Sequence, residues 1–151
     1  MLSAEQTKAT IDHPTLTITF KRKLGVSPEA VFDAWTQAEQ ISQWWDPDGV
    51  PLRECSIDLR VGGEFKLVNR GHSPPFAGVY RVIERPSLLV FDAMGAVGTV
   101  RLDADNGGTQ MTVMIRCAGP EHLEHFVKLG VADGTDRTLD NLVAHFTTKT
   151  A

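Results

Sequence analysis

A chain of 151 residues is the size of one ordinary domain, long enough to remove about 70% of its unfolded surface from water. Its 42% apolar and 23% charged residues are those of a folded globular protein, which sets aside disordered and membrane-spanning chains. Fifteen Lys and Arg against nineteen Asp and Glu give a formal charge of -4, so no overall positive field is available to hold a nucleic acid.

No apolar run of signal-peptide length opens the chain and none approaches the roughly 20 residues that span a bilayer, so a cytoplasmic location and no membrane partner are expected. Cys55 and Cys117 form no CxxC pair, which points to two buried thiols and to neither a zinc knuckle nor a redox motif.

Residues 1–14 are polar and aperiodic and read as a flexible N-terminal arm; residues 15–151 read as a single domain. Leu16, Ile18 and Phe20 alternate with Thr and Lys at the period of two of a half-buried strand. Ser27-Pro28 then supplies an N-cap and a first-turn proline for a short helix whose apolar face carries Val31, Phe32 and Trp35. A second short helix is predicted over Ala38 to Trp44, stopped by the turn formers Asp46-Pro47-Asp48-Gly49.

From Leu52 to Cys117, short apolar runs alternate with turn signals at Gly62-Gly63, Arg70 to Pro75, Arg85-Pro86-Ser87, Gly95 and Asn106-Gly107. That spacing predicts about six antiparallel strands in a meander, because parallel strands would need helical crossovers. The clearest are Glu64 to Asn69, Phe76 to Glu84, Leu88 to Ala93, Thr99 to Leu102 and Thr109 to Cys117; Arg53 to Asp58 is the weakest. After Gly119-Pro120 the chain reads as one long helix to Phe146. Val127, Val131, Thr135, Thr138, Leu142 and Phe146 form its apolar stripe, and Asp133, Asp136 and Asp140 a solvated opposite face. The phase fails before Val127, so its first turns either overhang the sheet or bend near Gly130. The pattern gives an α+β fold of about seven strands in one curved antiparallel sheet with the long helix across its concave face.

Several runs, in this order, resemble a known family: Val31-Phe32-Asp33-Ala34-Trp35-Thr36, Gln43-Trp44-Trp45-Asp46-Pro47-Asp48-Gly49, Asp58 to Phe65, Gly78-Val79-Tyr80, and Asp133-Gly134-Thr135 leading to Leu139-Asp140-Asn141-Leu142. Together they are similar to the single-domain relatives of the activator of heat-shock protein 90 ATPase, within the START, Bet v 1-like or SRPBCC superfamily. The resemblance covers Leu16 to Phe146 and implies a helix-grip fold with a cavity between sheet and C-terminal helix. Two departures stand out: Asp46 replaces the glycine of the common Trp-Trp-Gly-Pro form, and Thr135 replaces a tryptophan found in many relatives.

A cavity for an apolar molecule needs aromatic and thioether walls, which Phe65, Phe76, Tyr80, Phe91, Met111, Met114, Phe126 and Val131 could provide as a group; taken singly, each reads first as ordinary core. Trp44 and Trp45 are adjacent and so point in different directions, where one could pack inward and the other line an entrance, or both could close the open end of the sheet. Asp58 and Arg60 share a strand face, where they would bind a polar head group or form a structural ion pair. His122 and His125, three apart, lack the His-Glu-x-x-His order of a zinc peptidase and read as incidental residues at a helix start. Asp33, Asp58, Glu64, His72 and Asp92 could act as acid or base only if one projects into the cavity. The candidate ligand residues are therefore Trp45, Asp58, Arg60, Phe65, Phe76, Tyr80, Phe91, Met114, Val131 and Thr135, with no catalytic or metal-binding set and no cofactor implied.

The leading expectation is a binding protein for a small hydrophobic molecule. The resemblance implies two alternatives, a cavity-based enzyme like the polyketide cyclases and aromatases, and a stress-response co-chaperone that activates a chaperone ATPase. Exposed strand edges make a homodimer a further expectation.

Overall fold

The structure is a computed structural model that describes residues 9–71 and 74–149. The described residues form eight strands: β1 (Thr10–Asp12), β2 (Thr17–Leu24), β3 (Glu54–Ile57), β4 (Glu64–Val68), β5 (Phe76–Glu84), β6 (Leu88–Ala93), β7 (Ala96–Asp105) and β8 (Gly108–Arg116). Helices α1 (Pro28–Thr36) and α2 (Ala38–Trp44) lie between β2 and β3, and α3 (Pro120–Lys128) and α4 (Val131–Lys149) follow β8. All strands join one antiparallel sheet in the order β1-β2-β8-β7-β6-β5-β4-β3. The meander from β3 to β8 is thus completed by β2, which comes from the other end of the sequence. This is a helix-grip arrangement, with the long C-terminal helix held against a curved sheet.

The inner face follows from strand alternation. Ile18, Phe20, Arg22 and Leu24 of β2 are buried, facing Ile115, Val113, Met111 and Thr109 of β8 in register. Ser27 caps α1 by accepting a hydrogen bond from the Ala30 amide, with Pro28 in the first turn as the sequence predicts. Val31, Phe32, Ala34 and Trp35 of α1 and Ile41 and Trp44 of α2 enter the same core. None of the helices among the described residues is long and apolar enough to cross a membrane.

Four readings of the sequence change. First, part of the expected N-terminal arm is structured: Thr10, Ile11 and Asp12 pair with Thr19, Ile18 and Thr17, adding the strand that raises about seven to eight. Three residues are too few to display a period. Residues 1–8 of that arm lie outside the described residues. Second, Leu16 belongs to the turn before β2, with φ 59, and the strand proper begins at Thr17.

Third, the predicted single helix is two. Gly130 adopts φ 79, a left-handed conformation that ends α3 and lets α4 set off with its own phase, so the stripe begins at Val131, and Val127, expected on it, lies in α3 and is 40% exposed. Fourth, the acidic face of α4 is only partly wet. Arg22, 2% exposed, donates to Asp136 at 2.9 Å and to Asp140 at 3.1 Å, and the Asp136 side chain is 15% exposed against 63% for Asp140. Asp136 therefore faces the charged residue that β2 sends inward, and its carboxylate also accepts the Ala9 amide.

Candidate ligand-binding cavity

Between the sheet and the first half of α4 lies a cavity of about 520 Å³. Its floor is Ala96 and Gly98 of β7 with Val113 and Ile115 of β8; Phe76, Phe91 and Ala93 wall one side and Trp35 and Trp45 another. Phe126 of α3 and Val131, Thr135, Thr138 and Leu139 of α4 complete the enclosure. Met94, Asp48 and Arg137, 57%, 72% and 51% exposed, mark where it opens to solvent. Gly98 deepens the floor: Phe91 is its cross-strand partner, and a Cβ at 98 would lie 2.6 Å from the Phe91 ring.

Beyond Phe76 and Phe91 the interior is closed by aromatic rings. Trp44 meets Trp35 edge-on at 5.0 Å, Trp45 lies 5.0 Å from Phe76, and Phe65 stands 5.0 Å from Tyr80 and 5.4 Å from Phe91. These separations suit edge and tilted contacts, and they leave a void of only about 20 Å³. The two adjacent tryptophans do not diverge, since their rings meet edge-on at 6.0 Å, but they take different places: Trp44 is 1% exposed and donates its indole N–H to the Ala34 carbonyl at 3.2 Å, whereas Trp45 lines the cavity. The buried Trp35 indole N–H has no acceptor among the described residues.

The loop after α2 forms the rim, and α4 fastens it. Asp46 accepts the Asp48 amide at 2.8 Å through its side chain and the Gly49 amide at 2.8 Å through its carbonyl, closing a tight turn. Its second carboxylate oxygen accepts Asn69 Nδ2 at 2.6 Å. The Asp46 carboxylate therefore builds the turn and ties it to the end of β4. From α4, Thr138 donates to the Trp45 carbonyl at 2.9 Å, Asn141 donates to the Asp46 carbonyl at 2.8 Å, and Arg137 pairs with Asp48.

Of the residues singled out from sequence, Trp45, Phe76, Phe91, Val131 and Thr135 line the cavity. Met114 borders it, but its register opposite Thr19 and Thr99 sets its side chain on the other face from Val113 and Ile115. Phe65 and Tyr80 belong to the aromatic plug around the small void. Asp58 and Arg60 are not in the cavity lining: they pair with each other at 2.8 Å in the exposed turn between β3 and β4. That turn is held over β5 by hydrogen bonds between Gly62 and Gly63 and the Tyr80 backbone, which fixes the pair on the surface. Met111 is fully buried core, and Phe126 is cavity wall.

Sequence reasoning missed Trp35, Gly98, Asp46, Asp48, Asn69 and Arg137 as lining residues. Only Asp46 carried a signal, its departure from the family form; the others depend on strand register and on a loop meeting a distant helix.

Of the acids and bases singled out from sequence, those among the described residues stand outside the cavity lining. Asp33 pairs with Arg85, Asp58 with Arg60 and Asp92 with Arg81, and none of these carboxylates lines it. Glu64 is exposed, and His72 lies outside the described residues. Burial pushes the Tyr80 phenol well above its ordinary range, with the nearby Cys55 adding to the rise. Burial likewise raises both thiols; Cys55 is half-buried and Cys117 buried, and both are free and protonated at neutral pH. His122 proves to be structural, not incidental: Nδ1 accepts the Ala118 amide at 3.0 Å and Nε2–H donates to the Met94 carbonyl at 3.2 Å, linking α3 to the β6–β7 hairpin. His125 is exposed.

A family model described as Activator of Hsp90 ATPase homolog 1-like protein matches residues 25–147. The chain belongs to this family. Solved structures share its fold. A protein from Mycobacterium smegmatis superposes with a TM-score of 0.83 at 18% identity, covering 95% of this chain and 99% of that one. One from Nitrosomonas europaea gives 0.82 at 22%, covering 93% and 99%. An AHSA1-like protein from Aeromonas hydrophila gives 0.73 at 23%, covering 89% and 94%. At these identities the likeness concerns the fold. A search of curated proteins found no match.

Proposed function

We propose that this member of the family binds a small, largely apolar molecule in the cavity between α4 and the sheet. The supporting observation is the cavity itself: about 520 Å³ falls within the roughly 300–1,000 Å³ of ligand pockets, and its wall is mostly aromatic and aliphatic. The aromatic plug fills the opposite end of the same interior, so the space is confined to the end under α4.

Native mass spectrometry and thermal melting across a panel of hydrophobic compounds test the reading. A ligand at a hundred times its dissociation constant adds about 2.7 kcal/mol and raises Tm by several degrees. Leu139→Trp, which fills the cavity from α4, should abolish that shift while the variant remains folded. No stabilisation by any compound, or a shift that survives the filling substitution, would overturn the proposal.

A further inference from the structure

We infer that the cavity selects amphipathic amines, taking the apolar body inside and leaving a protonated nitrogen at the rim beside Asp46 and Asp48. The inference rests on the cavity being a ligand site and adds the charge of the head group. Among the described residues of the lining, the ionised side chains are two carboxylates and one guanidinium, Asp46, Asp48 and Arg137, a single net negative charge. All three stand on the rim loop or the facing turn of α4, so an amphiphile that buries its body in the floor must bring its head past them.

The existing bonds sharpen the choice. Arg137, the one cation of the lining among the described residues, is already paired with Asp48, so a ligand carboxylate would have to break that pair and stand next to two like charges. An ammonium meets one like charge, Arg137, against two carboxylates, and need break no pair. The Asp48 carboxylate is 72% exposed and has room for more bonds than the one Arg137 supplies. The Thr135 hydroxyl, on the wall one helical turn before Leu139, has no hydrogen-bond partner among the described residues and can accept from the same head group.

The test uses three probes with one body and three heads: 1-naphthylmethylamine, 1-naphthalenemethanol and 1-naphthoic acid, titrated calorimetrically into the full chain at low salt. The amine should bind at least about fivefold tighter than the acid, with the alcohol between them, and raised salt should narrow the gap. Asp48→Asn releases Arg137 and removes one negative charge, so the amine-to-acid ratio should fall by about the same factor. Circular dichroism confirms that the variant is folded. Tightest binding by the acid, or equal affinity for all three heads at every salt concentration, overturns the charge selection while leaving the apolar site standing. No binding by any probe, including the uncharged alcohol, removes the inference together with the site on which it rests.

Discussion

Gly78 and Gly98 sit on strands either side of β6 and separate two uses of a missing side chain. A Cβ at Gly78 would lie 2.1 Å from the Asp92 carbonyl oxygen, an atom fixed by the β5–β6 ladder, and 2.7 Å from Phe65. Gly78→Ala should therefore destabilise at the upper end of about 1–3 kcal/mol, read from urea denaturation. At Gly98 the obstacle is only the Phe91 ring, which borders open space and can turn into it. Gly98→Ala should cost under about 1 kcal/mol yet weaken binding of a naphthyl probe several-fold, because the ring moves into the ligand's volume. Equal stability losses in the two variants would show that Phe91 is held as rigidly as backbone. Both glycines are visible in the sequence, but nothing local tells them apart; the difference lies in what the neighbouring strand presents.

Among the helices, α4 joins parts of the chain far apart in sequence. Its middle turns hold the rim loop through Arg137, Thr138 and Asn141, and its polar edge grips β2 through Asp136. Arg22→Met leaves the Asp136 carboxylate, 15% exposed, without its cation, and should cost about 3–5 kcal/mol. Adding Asp136→Leu replaces the pair with apolar surface and should recover most of that loss, a coupling that a double-mutant cycle measures directly. A single substitution costing no more than an ordinary surface exchange would remove Arg22 as an anchor. Arg22 lies two residues beyond Phe20, so the period of two read from Ile18 and Phe20, carried one step further, puts the arginine on the inner face. Its partner was hidden by the periodicity of α4, which assigns Asp136 to the polar side without saying that β2 lies there.

For the molecule as a whole, element order and meander topology were legible because turn residues and the period of two are local properties. The division of the interior into plug and cavity was not. Phe65 and Phe91 have the same hydrophobicity and both face inward, and only their packing partners make one filler and the other wall. The interior also sets an alkaline limit. Cys55, Cys117 and Tyr80 bind their protons more tightly folded than unfolded, where their ordinary values are 9.0 for the thiols and 10.0 for the phenol. Above those values the unfolded chain releases protons that the native state retains, so stability should decline as pH rises past 9.0 and more steeply past 10.0. Urea midpoints measured across that range check the sign, and Tyr80→Phe should remove the steeper portion.

The pairing of β2 with β8 also orders events in time. Neighbouring strands from β3 to β8 are joined by short connections, whereas β2 must return across the whole meander to meet β8, a closure with a large entropic cost. The hairpins are expected to form early and β2 to dock late, so core truncations in β7 should slow folding while those in β2 mainly hasten unfolding. Because Arg22 ties α4 to that late strand, the roof of the cavity is secured only when the last strand is in place. A nascent chain would acquire its capacity to hold a ligand at the end of folding, and binding would then act as a latch on the completed molecule.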